Sequence, residues 1–546
     1  MQSSKFTSSK AILAELGLVF GFFLLAFVIR AYNLSVLIAN PDEMTYATRG
    51  IGILAADWVW PRPYMFDQPP LFTYLLAVMI AARGASLETM RLLPVFSGSL
   101  TVVVAYFLGK SMYGRITGLI ASVAVLFDGF DVLYSRMIYI EAFSTMLILA
   151  ATLLFWEGIV KRRSYKLSIA GGIVFGLALD SKYIALVLAV ALVLFLLLYW
   201  RKFPGGPPWK HTLVYLVTGF AAFIPVAAAF AAVGVNPFYY DLVQRFQISN
   251  VRATVEAIRS GHIFLAGFTN FMQVFVHVSA TNAFGAFPLE FEYIALWVVV
   301  VIAVLGFFLV SFLLRKSLAD AFLLILLVGF LLFAFAYPDK KTYFALYPSL
   351  FLMVMMGRMG QLAFEYIARY RHKKSIVPYL SAIVIVLILS VLTISILTVP
   401  TFYQNGFGSY DEIAPILSYV GANHGNNSYL AVGELEVGYY AILNHLNVSV
   451  IYIVTTLQYY SEPALNQSLQ TPLKGTYPWY TVFTTTQIEQ LQPQFIVMTG
   501  LDFRSTSLPF QQFITARYYQ PLNTKLVLLF QVRPGNPFGQ NYTGCC

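Results

Sequence analysis

Charge is scarce in this chain of 546 residues: Asp, Glu, Lys and Arg make up 11% of it, where a soluble domain carries about a quarter. Cysteine is scarcer still. The only two are Cys545 and Cys546, at the end of the sequence, so no metal or redox centre built on cysteine lies inside the fold. There is no GxGxxG or phosphate-loop glycine pattern, no HExxH, and no sequence repeat between the halves. The apolar share, by contrast, is 59%. Together these exclude a soluble globular enzyme, a disordered chain and a disulfide-built secreted scaffold.

What is abundant is apolar sequence, in runs of about twenty residues, the length that crosses a hydrocarbon slab about 30 Å thick. About eleven runs meet that measure: residues 12–32, 91–109, 116–133, 138–157, 167–180, 183–200, 212–233, 291–314, 318–337, 343–360 and 377–399. The first is too long for a signal-peptide core and no small-residue cleavage site follows it, so it reads as an anchor. The formal charge is +10, which in a soluble protein would suggest nucleic acid. Here the basic residues sit in short clusters between apolar runs and report topology instead. Lys5/Lys10, Lys110–Arg115, Lys161–Lys166, Arg201–Lys210, Arg315/Lys316 and Arg369–Lys374 all fall on one side of this threading. The expectation is a polytopic α-helical protein of the plasma membrane or an ER-type membrane, its N-terminus inside and everything beyond about residue 400 outside.

Residues 69–84 (PPLFTYLLAVMIAARG) would reverse that parity as a span, so they read as a helix in the outer interface within a first external loop at about 33–90. A second external segment, roughly 234–290, mixes apolar patches with Arg245, Arg252, Arg259 and His262, which suits interfacial helices. The transmembrane region thus covers 1–400. From 401 to 546 the composition turns to Asn, Gln, Thr, Tyr and Gly. Apolar β-type runs at Tyr429–Val432, Val448–Val454, Phe495–Met498 and Leu526–Val532 alternate there with helix-like Asp411–Ala422, Val437–His445 and Gln511–Tyr518. That alternation predicts an extracytoplasmic α/β domain. It holds sequons at Asn426, Asn447, Asn466 and Asn541. An external tail argues against prenylation of Cys545 and Cys546 and favours a disulfide or free thiols.

Ionisable groups at a bilayer edge are costly, so each is a candidate for function. Asn40-Pro41 starts a helix, in which Asp42 and Glu43 either complement the dipole or do chemistry. Asp67-Gln68-Pro69-Pro70 follows in the same loop. Asp128, Asp131 and Arg136 precede Glu141, which sits in the first turns of an apolar run. Burial there without a partner would cost several kcal/mol, and Arg136 or a polar cavity would supply one. Asp180-Ser181-Lys182-Tyr183 interrupts a long apolar stretch, as two helices meeting at a polar break. Pro338-Asp339-Lys340-Lys341-Thr342-Tyr343 puts cations outside, where they call for an anion such as a lipid head group or a bound lipid phosphate. The threading places all five clusters on the outer edge. Cations facing carboxylates beside a lipid-accessible cavity suit displacement of a lipid-linked phosphate by a hydroxyl.

Asp42-Glu43, Asp67-Gln68-Pro69-Pro70 and Arg136…Glu141, in this order and spacing, resemble the GT-C glycosyltransferases of the protein O-mannosyltransferase and aminoarabinose-transferase-like group, glycosyltransferase family 39 and its relatives. The break at Asp180–Tyr183 and the run Lys340…Tyr343…Pro348 are similar to further family patterns. The resemblance covers residues 10–200 and thins over 210–400; the C-terminal region has no match.

The resemblance implies a polyprenyl- or dolichyl-phosphate sugar as donor and a protein, lipid or glycan as acceptor. Asp42 would be the general base or orient the acceptor, assisted by Glu43. The donor phosphate would meet Arg136, Lys182, Lys340, Lys341 and Tyr343. Asp67, Gln68, Glu141, Asp180 and His262 would support the cavity. Some relatives hold a divalent metal at the position of Asp67, which leaves Asp42 and Asp67 as an optional metal pair. Gln68 departs from a Lys in several bacterial relatives, which counts against the lipid A branch. By analogy with the family, displacement at the anomeric carbon would be in line and inverting. The rival readings are a secondary transporter with a polar site between broken helices, and a membrane-anchored binding protein. Charges gathered at one membrane edge, and the lack of matching halves, favour the transferase.

Overall fold

The computed structural model describes residues 9–34, 41–55, 69–203, 206–232, 317–336, 342–370, 377–398, 410–424, 429–432, 449–452, 492–499, 508–523 and 527–534, with a few positions between 306 and 313. Each apolar run carries a helix except that at 291–314, which lies largely outside the described residues. These are α1 (Ser9–Ala31), α4 (Leu87–Tyr113), α5 (Arg115–Leu126), α7 (Ile140–Phe155), α8 (Tyr165–Ser181), α9 (Leu186–Leu198), α10 (Trp209–Ala232), α11 (Leu318–Ala336), α12 (Leu346–Tyr370) and α13 (Val377–Thr398). Among the described residues, four helical stretches, Ala11–Ala31, Leu87–Tyr113, Ile140–Lys161 and Trp209–Ala229, are long and apolar enough to cross a membrane. The protein is an integral membrane protein of packed apolar helices.

Local chemistry sets the helix ends. Ser86 caps α4, its hydroxyl accepting from the Thr89 N–H at 3.1 Å. Gly114, at φ 119°, alone separates α4 from α5. A side chain there would be strained, so this hairpin depends on glycine. The expected span at 116–133 is two pieces instead. α5 stops at Leu126, and Asp128 caps the short α6 (Gly129–Ser135) by accepting from the Asp131 N–H at 3.2 Å. An aspartate beside a glycine offers the backbone a cap, which ends the apolar helix early. α3 (Leu71–Arg83) has 13 residues and, at about 20 Å, is shorter than the slab. It packs on α2 (Pro41–Ala55) and α4. The segment 234–290 and its interfacial helices lie outside the described residues.

Between α8 and α10 the backbones approach closely. A Cβ on Gly176 would come within 2.5 Å of the Gly219 carbonyl oxygen and 2.7 Å of the Ala222 Cβ. Gly172 faces Thr218 and the Tyr215 carbonyl in the same seam. Small residues are what allow helices to meet this tightly in an apolar medium.

Among the described residues, the C-terminal region carries a mixed sheet of five strands in the order β2-β1-β3-β5-β4. Strands β1 (Tyr429–Val432), β2 (Ser449–Tyr452), β3 (Phe495–Thr499) and β5 (Val527–Val532) coincide with the four apolar β-type runs. β1 lies parallel to β2 and β3, while β5 is antiparallel to β3 and β4. β4 (Tyr518–Asn523) is not foreshadowed by its sequence, YYQPLN, because polar residues and an internal proline hide the strand pattern. α14 (Tyr410–Asn423) and α15 (Leu508–Arg517) accompany the sheet, the latter ending one residue before Tyr518. The helix-like stretch Val437–His445 lies outside the described residues.

Candidate active site

Helix directions bring the C-terminal end of α1 and α8 together with the N-terminal end of α2, α4, α7 and α12, and buried charges concentrate there. Pro41 occupies the first position of α2, where its missing N–H costs nothing. Two residues on, Glu43 is fully buried. Its carboxylate accepts from Arg91 Nε at 2.9 Å and Nη2 at 2.8 Å, a two-pronged pair, and from the backbone N–H of Ile138 at 2.7 Å. Arg91, in α4, also donates to the Leu34 carbonyl just beyond α1. One carboxylate thus ties α2 to α4 and to the turn before α7.

Beside it, Arg30 Nη2 meets Asp131 Oδ2 at 2.5 Å and donates to the Val125 carbonyl at 3.1 Å. Arg136, also fully buried, donates to the carbonyls of Arg30 at 3.0 Å, Asn33 at 3.1 Å and Tyr32. These are carbonyls that the end of α1 leaves without helical partners, and a guanidinium is well shaped to collect them.

The third element centres on Lys182. α8 ends at Ser181 and Lys182 is extended, at φ −157° and ψ 134°, before a short turn leads into α9. The polar break expected at Asp180–Tyr183 is present in this form. Lys182 forms a buried ion pair with Glu141 and lies 4.8 Å from the ring centroid of Tyr343 and 4.9 Å from that of Phe344. Tyr343 packs 5.6 Å from Tyr139 and 6.3 Å from Tyr134, centroid to centroid. Tyr347 and Ser144 share a hydroxyl hydrogen bond of 2.6 Å. Asp180 is 4% exposed, and its Oδ1 has no hydrogen-bond partner among the described residues.

The partner of Glu141 is therefore Lys182 and not Arg136. Sequence proximity misleads here, because Arg136 turns towards α1 to satisfy carbonyls, whereas Lys182 arrives from a helix end packed beside α7. Among the expected site residues, Glu43, Arg136, Glu141, Asp180, Lys182 and Tyr343 come together at one end. Asp42 lies in α2 next to Glu43, but its side chain falls outside the described residues, as do Asp67, Gln68, His262, Lys340 and Lys341. No group of three or more His, Cys, Asp or Glu side chains that could hold a metal occurs among the described residues. The optional pair Asp42 and Asp67 falls outside that description. Arg91, Arg30 and Tyr347 were not anticipated. Arg91 had a visible signal, a guanidinium at the very start of an apolar run.

The other end of the helices carries a separate set of ion pairs. Glu157 accepts from Lys161 at 2.7 Å, and Asp320 lies 3.8 Å from Arg358.

This architecture has counterparts among solved structures. It superposes on ArnT from Cupriavidus metallidurans bound to undecaprenyl phosphate with a TM-score of 0.62 at 13% identity, over 94% of this chain and 98% of that one. The chain has the GT-C glycosyltransferase fold. The same GT-C architecture is found in the archaeal oligosaccharyltransferase AglB from Archaeoglobus fulgidus, in complex with an inhibitory peptide and a dolichol-phosphate (TM-score 0.55, 13% identity, 95% of this chain and 74% of that one). Residues 67–229 match the dolichyl-phosphate-mannose-protein mannosyltransferase family. No curated protein matches the chain in sequence. The matched family is named for a dolichyl-phosphate-linked sugar, and the two structural neighbours hold undecaprenyl phosphate and dolichol-phosphate. Within the GT-C fold, the family match takes in Arg91, Arg136, Glu141, Asp180 and Lys182, and begins after Asp42 and Glu43.

Proposed function

We propose that this protein transfers a sugar from a polyprenyl- or dolichyl-phosphate donor to a hydroxyl-bearing acceptor at the extracytoplasmic membrane edge, with inversion. The observation that carries the reading is the convergence of Glu43–Arg91 and Glu141–Lys182–Tyr343 at one end of a GT-C fold. A lipid phosphate needs cations at the membrane edge, and an incoming hydroxyl needs a base opposite them.

Asp42 is the base in this proposal. Glu43 is held on both oxygens by Arg91 and Ile138, so its role is to fix the start of α2 and thereby aim its neighbour. The acceptor oxygen attacks the anomeric carbon, the carbon–oxygen bond to phosphate breaks, and its electron pair leaves on the lipid phosphate. The acceptor proton passes to Asp42. Lys182, Tyr343, Lys340 and Lys341 face the phosphate, with Asp67, Gln68, Asp180 and His262 around the cavity. Arg136 shapes the site by closing the end of α1. Residues 1–400 form the membrane region and 401–546 an outer domain that meets the acceptor. A metal between Asp42 and Asp67 is compatible with this assignment but is not required by any step.

The break at Lys182 beside buried Asp180 is also what a transporter would use. Purified protein incubated with radiolabelled polyprenyl-phosphate sugars separates the two. Transfer to an acceptor, or slow hydrolysis of the donor, supports the transferase. Uptake of label into sealed vesicles without either supports transport.

A further inference from the structure

The end of the helices away from Lys182 presents a surface that sugar transfer does not explain. Two connections build it, residues 162–164 before α8 and, between α9 and α10, residues 199–203 and 206–208. They are fastened together where Arg163 Nη2 donates to the Gly206 carbonyl at 2.6 Å, and the first turns of α8 and α10 beside them are joined by the stacked rings of Tyr165 and His211, centroids 4.3 Å apart. Phe203 is buried edge-on against Phe195 at 5.6 Å, which pins the second connection to α9.

On this frame Lys166, Arg201, Lys202 and Lys210 are exposed. Glu157 meets Lys161 and Arg162, and from there to Asp241 the only carboxylate in the chain is Asp180, at the opposite end of α8. The connections themselves thus hold no acid to balance these cations. Trp200 and Trp209 flank them, 50% and 41% exposed, and Arg201 lies 5.2 Å from the Trp200 ring centroid. Below the tryptophans the adjoining helices show bare aliphatic side chains, Leu198 at 67% and Leu213 at 62% exposed. Cations, then indoles, then aliphatic groups is the order met in passing from a lipid head group to its acyl chain.

We propose that this surface binds an anionic phospholipid, its phosphate on Lys166, Arg201, Lys202 and Lys210 and its acyl chains along α9 and α10. The site stands apart from the transferase reading and holds whether or not a sugar is transferred. It differs from a diffuse basic margin because two tied connections bring cations from three helix ends to one place.

Full-length protein in detergent is titrated with phosphatidylglycerol, phosphatidylcholine or inorganic phosphate, and bound lipid is counted by native mass spectrometry. Wild type is expected to retain phosphatidylglycerol over phosphatidylcholine. Lys202→Gln with Lys210→Gln should weaken phosphatidylglycerol retention about tenfold or more, the scale of losing two charges beside an anionic lipid. Arg83→Gln with Arg369→Gln, exposed cations elsewhere, should not. Lys202→Arg with Lys210→Arg should keep the preference, which guards against a folding defect in the Gln pair. Equal retention of the two lipids, an unchanged preference in the Gln pair, an equal loss in the control pair, or displacement by inorganic phosphate at matched concentration would each overturn the site.

Discussion

Glu43 and Arg91 stand 48 positions apart in sequence and meet in the interior through two parallel hydrogen bonds, with neither side chain exposed to solvent. The pair fastens the start of α2, and with it Asp42, to α4. Removing one partner leaves the other charged and buried. Arg91→Met is expected to destabilise the protein by about 3–5 kcal/mol. Glu43→Leu combined with Arg91→Met should recover part of that loss, because both charges leave together. Thermal unfolding in detergent checks both. Equal stability of Arg91→Met and wild type would mean the pair does not hold α2.

Asp42→Asn tests the base. The proposal expects a fall in transfer of about a hundredfold or more, with unchanged expression and melting temperature, since the buried pair at Glu43 remains. Wild-type turnover in this variant removes Asp42 from the mechanism.

Lys340 and Lys341 follow the same logic from the donor side. Neutralising both to Gln should raise the donor KM more than the acceptor KM, read by varying each substrate separately. Unchanged donor affinity would place the phosphate elsewhere.

The α8–α10 seam gives a prediction about folding alone. A Cβ on Gly172 would overlap Thr218 Oγ1 and the Tyr215 carbonyl, so Gly172→Ala must push the helices apart. About 1–3 kcal/mol of destabilisation is expected, and Thr218→Ala in the same chain should relieve some of it. Gly17→Ala, in α1 with nothing within 4 Å of its Cβ, is the control and should be neutral.

Much of the architecture was written in local pattern. Apolar runs such as 183–200 and 377–399 became helices, and Phe495–Met498 and its fellows became strands, because burial period and length are properties of a short window. The break at Lys182 was equally visible, since a charge flanked by two apolar runs is too costly to leave inside a continuous helix in lipid. Partner choice was not. Arg136 lies five residues before Glu141 and pairs with carbonyls of α1 instead, while Lys182 reaches Glu141 from a different helix. Arg91 finds Glu43 across an even longer gap. Such pairings depend on how helices pack, which no window of sequence contains. β4 escaped for another reason: its sequence, YYQPLN, lacks alternation and is a strand only because β5 offers it a ladder.

In the proposed reaction the end holding Lys182 and Tyr343 receives the lipid phosphate. A polyprenyl phosphate carrying a photoreactive group near the phosphate, activated in the presence of purified protein, tests it most directly. Adducts are expected on peptides spanning residues 134–145, 180–186 and 342–348, with protection of those peptides by unlabelled donor. Adducts confined to residues 106–117 and 157–166, around the ion pairs at the other end, would contradict it.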